Sequence, residues 1–296
     1  MATARAGVGS AGFVPPIVTP FRDGRVDYDS LGRVLDDLLG NVQGILVGSS
    51  VGESPSLTMT ERIELMRAVA RQLDGNCGLA VSVSDNSILN TRELSDAAGE
   101  AGARTLLIAA PNYFSNDRSM LTAYFHAVSD FASADLCLYD NPIATHTQLT
   151  VADIKAIADA APRVTAVKVT DTSIGKVEAL MRETDLQVFA GDDVVLWNQM
   201  CGGVSGAMVA IPMIFPEISR ALWSAYSAGD HANAERLFRK LSHFIQVGLG
   251  APDYVPVIKT ILHRRGVIAS PDLRLPLVPL SPSRADQILL AYASDD

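Results

Sequence analysis

With 296 residues, 48% of them hydrophobic and 19% charged, the chain has the material for a large buried core and does not read as disordered. The formal charge is −9 and no long basic run is present, which argues against a nucleic-acid partner and leaves any anion site to local groups. No apolar run is long enough to span a membrane. Met1 to Gly12 lacks the apolar segment of a signal peptide and is expected to be a flexible tail. Cys77, Cys137 and Cys201 form no CxxC pair and have no histidine at zinc spacing. Free thiols in a soluble, cytoplasmic protein are the expectation.

From residue 13 the chain repeats one pattern: a short apolar run, a turn, then a helical stretch. Phe13 to Val18 is the first run, and Asp29 to Leu39 follows with Leu31, Val34, Leu35 and Leu38 at helical spacing. Gly44 to Gly48 is the second, with Thr60 as the expected N-cap of a helix over Arg62 to Leu73. Leu79 to Val83 precedes a helix at Ser87 to Ala101, and Thr105 to Ala109 precedes one at Met120 to Phe131. Leu136 to Tyr139 is the fifth run. Thr150 and Asp153 then resemble a capping box, although the partner is usually Glu or Gln. Val164 to Val169, Gln187 to Ala190 and Gly206 to Ile211 complete the runs, with Asp193 to Met200 helical.

About eight strand–helix units predict an α/β fold of the TIM (β/α)8 barrel type. A doubly wound sheet is the rival, weakened by the lack of GxGxxG in the first turn. The barrel is expected over 13–228. Beyond it, His231 to Gln246, Tyr254 to Arg265 and Ser283 to Tyr292 read as amphipathic helices, a C-terminal extension over 229–296 packed on the barrel.

In such a barrel the functional residues lie at the C-terminal strand ends. Lys168, between Val167 and Val169, stands near the end of the sixth run. Lysine is rarely buried unless it is paired or functional, and a desolvated amine is more readily neutral and nucleophilic. The competing reading is an edge-strand lysine whose head reaches solvent. Tyr139 ends the neighbouring run, and a phenol beside an amine can shuttle the protons that imine formation needs. Ser49-Ser50-Val51-Gly52-Glu53 is a glycine-containing turn whose N–H groups can form an anion nest. Glu53, Asp85, Asp140, Asp192 and Asp193 raise a metal alternative, but His146 is the sole histidine at a strand end. Helix capping is the expected task of these acids.

Taken together, these landmarks resemble the dihydrodipicolinate synthase / N-acetylneuraminate lyase family of Schiff-base aldolases. The resemblance runs from Val18-Thr19-Pro20-Phe21 to Arg274-Leu275-Pro276-Leu277 and includes the Ser49–Glu53 turn, Pro111-Asn112-Tyr113, Tyr139-Asp140-Asn141-Pro142, Lys168 and Gly191-Asp192-Asp193. It implies that Lys168 forms an imine with pyruvate or another 2-keto acid. Tyr139 would act as general acid and base, and Ser50 would link it to Tyr113 from a neighbouring subunit. Ser49, Ser50, Val51, Gly52, Gly191 and Met208 would surround the substrate. No metal or organic cofactor is implied. The partners implied are a 2-keto acid, an aldehyde, and further copies of the chain in a homotetramer.

Some positions depart from the family pattern. Val51 replaces a hydroxyl residue, Asn112 a tyrosine and Asp140 an asparagine, and Ala144 stands where synthases carry an arginine. The resemblance therefore implies a second substrate other than aspartate semialdehyde. Dihydrodipicolinate synthesis proper and a non-catalytic 2-keto acid binder are the alternatives.

Overall fold

The computed structural model describes residues 12–295. Of the expected N-terminal tail, residues 1–11 lie outside this range. The main sheet has seven parallel strands in sequential order: β3 (Gly44–Val47), β4 (Gly78–Ser82), β5 (Thr105–Ala109), β6 (Asp135–Asp140), β7 (Val164–Val169), β8 (Gln187–Ala190) and β9 (Gly206–Ala207). A two-strand hairpin, β1 (Phe21–Arg22) with β2 (Arg25–Val26), precedes them.

The Phe13–Val18 run closes the barrel without forming a regular strand. It bridges β9 at Phe13–Ala207 and β3 at Pro16–Leu46. The Val14 N–H donates to Ala207 O at 2.8 Å, and the Ile17 N–H to Leu46 O at 3.0 Å. Pro15 and Pro16 supply no N–H, so a continuous ladder cannot form there. The last run is also shorter than expected. β9 stops at Ala207 because the Ala210 and Ile211 N–H groups donate instead to the Asp193 carboxylate, at 2.9 and 2.8 Å.

Alternation along the strands divides the apolar residues into two groups. Val14, Leu46, Ala80, Leu107, Cys137, Ala166, Phe189 and Met208 fill the barrel interior together with Tyr139. Leu136, Leu138, Val167 and Val169 face outward into the larger cluster beneath the helices.

Those helices are α1 (Tyr28–Leu38), α2 (Met59–Leu73), α3 (Ile88–Glu100), α4 (Arg118–Phe131), the short α5 (Pro142–Thr145), α6 (Val151–Ala160), α7 (Ile174–Glu183), α8 (Leu196–Cys201) and α9 (Pro216–Ser227). The α2 cap is Thr58, not Thr60. Only Thr58 has a glutamate three residues on, and Glu61 returns the bond to the Thr58 N–H at 2.9 Å. Thr150 and Asp153 form the same reciprocal box on α6.

The C-terminal helices α10 (His231–Phe244), α11 (Tyr254–Arg264) and α12 (Pro282–Asp295) fold back onto the barrel. Phe215 stacks on Tyr292 with ring centroids 5.3 Å apart. The segment between α11 and α12 crosses the hairpin. There Arg274 lies over the Phe21 ring and binds Glu61 through both guanidinium ends, at 2.6 and 2.8 Å.

Candidate active site

β6 and β7 pair with Tyr139 opposite Lys168, so alternation points both side chains into the barrel at its C-terminal end. Lys168 is 3% exposed, and its Nζ lies 4.3 Å from the centroid of the Tyr139 ring. Two other lysines are also buried. Lys176 sits 2.6 Å from Asp140 and 3.1 Å from Asp171, and Lys259 is paired with Glu53. Among the described residues no carboxylate approaches Lys168 within ion-pair distance. It is the one of the three whose amine is not tied to a counter-ion.

The Tyr139 phenol is prepared by its neighbours. Burial pushes its pKa up, but the Lys168 ammonium, the nearby Thr170 and Ser50 hydroxyls and the Asn141 amide outweigh this and hold it below the usual 10. Asn141 Nδ2 donates to the phenol oxygen at 2.9 Å while Asn141 Oδ1 caps α5 at the Ala144 N–H. Asn141 thus fixes the phenol to the start of the next helix. Its place after the strand end at Tyr139-Asp140 made it visible as a site position but gave no sign of this bond. Cys137, one layer below, is pushed up to about 12 by burial, so it offers no competing nucleophile.

The Ser49–Glu53 turn faces these groups. Ser49, Ser50 and Tyr139 line a cavity of about 360 Å³, together with Asn86, Asn112, Asn141, Ala144 and Thr145 among others. The Ser49 hydroxyl is buried and makes no hydrogen bond among the described residues, so it is available to an acceptor in that cavity. Val51 and Gly52 shape the turn instead of lining it. The Val51 side chain packs into the outer apolar cluster, and Gly52 O accepts from Thr19 Oγ1 at 2.7 Å. A Cβ at Gly52 would stand 3.0 Å from Ile17 O, a close approach that favours glycine.

Gly191 has a similar function at the end of β8. A Cβ there would meet Thr170 Oγ1 at 2.7 Å and Val169 O at 2.8 Å. Met208 is fully buried in the barrel interior beside Tyr139. Tyr113 is placed elsewhere. It is 81% exposed, meets the Phe114 ring edge-on and is not part of the cavity wall of its own chain.

The acidic residues do not all cap the helices that follow them. Asp85 does hold the entry to α3, accepting from the Ser87 N–H at 2.9 Å, and also pairs with Arg62 at 3.2 Å. Asp193 reaches across to residues 210 and 211, and burial pushes its carboxyl up to about 6. Asp140 points outward from β6 to Lys176. Their places at strand ends were legible, but their partners lie on other elements.

Two further residues at the site escaped the sequence reading. Lys259 is fully buried against the Ser49–Glu53 turn. Tyr254, at the start of α11, has its pKa raised by burial and by the Tyr139 phenol. Lys259 sits in the apolar run Val255 to Leu262, which gives the same kind of signal as Lys168.

The profile of the dihydrodipicolinate synthetase family matches residues 9–291. The chain belongs to this family. A 4-hydroxy-tetrahydrodipicolinate synthase of Corynebacterium aurimucosum is 30% identical over 295 residues, covering 97% of this chain and 94% of that one. Synthase 1 of Streptomyces coelicolor is 30% identical over 280 residues, covering 93% and 91%. Among solved structures, the family member YagE of Escherichia coli K12, in complex with pyruvate, superposes with a TM-score of 0.89 at 26% identity, covering 96% and 98%. The 4-hydroxy-tetrahydrodipicolinate synthase of Methylacidiphilum fumariolicum reaches a TM-score of 0.91 at 24% identity, a likeness of fold, covering 97% and 95%. No described helix is long and apolar enough to cross a membrane. The family assignment makes the chain a lyase of the Schiff-base aldolase type.

Proposed function

We propose that Lys168 attacks the C2 carbonyl of pyruvate or a related 2-keto acid and forms an imine with loss of water. The observation that carries this is the pairing, across adjacent strands, of the Tyr139 phenol with a buried lysine that has no counter-ion among the described residues. Tyr139 acts as general acid for water loss and as base when the proton returns. The protonated imine withdraws electrons from C3. Loss of a C3 proton then gives an enamine that adds to an aldehyde carbonyl, and the reverse sequence cleaves the bond. The Ser49 and Ser50 hydroxyls and the Ser50 and Val51 N–H groups hold the acid's carboxylate. Gly191 and Met208 shape the floor beneath it. The chemistry calls on no metal or cofactor.

The second substrate is an aldehyde other than aspartate semialdehyde, or the reaction is dehydration of a 2-keto-3-deoxy acid. Ala144 lines the cavity without a charge, and Arg62, the cation on the wall, is already paired with Asp85. The exposed Tyr113, Phe114 and Ile143 side chains support a homotetramer in which Tyr113 completes the Ser50 relay of a neighbouring copy. Residues 13–228 form the barrel body, and the chain from 229 on, described to residue 295, its helical extension. The cytoplasm suits the three free thiols.

Borohydride reduction with pyruvate and a panel of 2-keto acids, followed by peptide mass spectrometry, tests the reading. An adduct on Lys168, absent in Lys168→Ala, is expected. No adduct with any acid overturns it.

A further inference from the structure

The Ser49–Glu53 turn is held from outside the barrel. Glu53 is a non-glycine residue at φ +55°, in the left-handed region, and its side chain is fully buried. Its N–H donates to Ser50 O at 3.1 Å, and the next N–H, of Ser54, donates to Ser49 O at 3.2 Å. The backbone of Glu53 therefore fixes the two serines whose hydroxyls reach the cavity. A strained residue of this kind persists only where its surroundings over-determine it.

Those surroundings are C-terminal. Glu53 Oε1 is paired with Lys259 Nζ from α11, and Glu53 Oε2 accepts the Arg274 N–H at 3.1 Å. Lys259 is fully buried. Its ammonium also donates to Asp272 O at 2.8 Å and lies 4.2 Å from the centroid of the Phe21 ring. Burial pushes the Lys259 pKa down and the Glu53 carboxylate pulls it back. The ammonium has no other carboxylate within ion-pair distance among the described residues. One buried cation thus ties together the catalytic turn, the hairpin at Phe21 and the 272–274 segment.

We propose that Lys259 is a positioning residue: through Glu53 it holds the Ser49–Gly52 turn in the shape that receives the keto acid's carboxylate. The inference rests on the reading of that turn as the carboxylate site. The physical argument is that a buried carboxylate without its cation is not tolerated. The available relief is for the Glu53 side chain to swing out, which releases the left-handed backbone and with it the Ser49 and Ser50 carbonyls. The hydroxyls and N–H groups then lose their convergence. Lys168 stands on β7 and keeps its place, and Tyr139, on β6, loses the nearby Ser50 hydroxyl but keeps the Asn141 Nδ2 bond at 2.9 Å.

The test uses the full-length protein, with pyruvate as the probe and borohydride trapping on Lys168 as the readout. In Lys259→Met the pyruvate concentration for half-maximal trapping rises about tenfold or more, the effect of losing one hydrogen bond to a charged group. The adduct at saturating pyruvate stays near the wild-type level. Glu53→Gln, which keeps shape and removes charge, gives a smaller rise in the same direction. Circular dichroism establishes that each variant is folded, and Glu53→Gln carries the test if Lys259→Met is not. A half-saturation unchanged within twofold in the folded variants overturns the proposal. So does loss of trapping at saturation, or failure of both variants to fold, which would assign the pair to stability alone. Wild-type protein that forms no adduct overturns the Schiff-base reading instead, so the two failures are distinct.

Discussion

Lys176→Met removes the cation beside the most deeply buried acid of β6. Lys176 Nζ lies 2.6 Å from Asp140 Oδ2 and 3.1 Å from Asp171 Oδ2, and Asp140 has no exposed surface. Asp171 tolerates the loss, because Gln148 Nε2 and the Ser173 N–H still bind it, each at 2.9 Å. Asp140 is left charged and alone, and stranding one partner of a buried pair costs about 3–5 kcal/mol. Asp140→Asn removes the charge but leaves an oxygen that can accept from Lys176, so it costs about 1 kcal/mol. The double variant Lys176→Met/Asp140→Asn has no stranded charge and recovers about 2 kcal/mol relative to Lys176→Met alone; with the cost of Asp140→Asn this is a coupling of about 3 kcal/mol, at the upper end of the range for directly touching residues.

The same pair predicts a pH response with a definite sign. Burial pushes the Asp140 carboxyl above 3.8, and Lys176 pulls against that push. Without Lys176 the upward shift grows. A carboxyl whose folded pKa lies above its unfolded value gains stability as the pH falls through the folded value toward 3.8. The Lys176→Met deficit therefore shrinks as the pH is lowered from 7 toward 5, and the double variant shows no such relief. Urea denaturation of the four proteins, followed by circular dichroism at both pH values, measures each corner of the cycle. Equal deficits for Lys176→Met and the double variant at pH 7, or a Lys176→Met deficit that does not move with pH, would refute the reasoning.

Tyr139→Phe keeps the packing and removes the proton carrier, so kcat falls by roughly 10²–10⁴ while pyruvate still saturates. Steady-state kinetics shows whether kcat or KM moves. Gly191→Ala places a methyl against Val169 O at 2.8 Å, a backbone atom that cannot turn aside. A thermal melt should show a loss of about 1–3 kcal/mol, the range for overpacking, with weakened trapping on Lys168. The Arg274 guanidinium holds the Glu61 carboxyl at about 2, below its ordinary 4.5. The stability this adds is present above 4.5 and lost as the pH falls through about 2. The difference between wild type and Glu61→Gln, about 1 kcal/mol at pH 7 for a partly exposed pair, should therefore narrow in denaturation curves taken below pH 4.5.

Much of the barrel was legible because its strands and caps are local signals. Thr105–Ala109, Val164–Val169 and Gln187–Ala190 are strands with the bounds their apolar runs suggested. Thr150 with Asp153 is a capping box with its partner three residues on, as read. Thr60 failed as a cap for the same local reason, since Glu61 completes the box with Thr58. The closing stave and β9 were misjudged in length. Their hydrogen bonds are decided by Pro15 and Pro16 in one case and by the distant Asp193 carboxylate in the other.

Lys168 shows where the boundary lies. The sequence by itself determined that a lysine flanked by valines would stand on a barrel strand beside Tyr139, because side-chain alternation and strand order are properties of the local pattern. It could not say which of the buried lysines, Lys168, Lys176 and Lys259, would be left without a counter-ion. Only the tertiary structure decided that. It brings Asp140 and Asp171 to Lys176 and Glu53 to Lys259, and leaves Lys168 over the Tyr139 ring with no carboxylate at ion-pair distance among the described residues. The physical reason is that a buried amine is defined by its nearest charge, and the nearest charge comes from whichever distant segment the fold places against it.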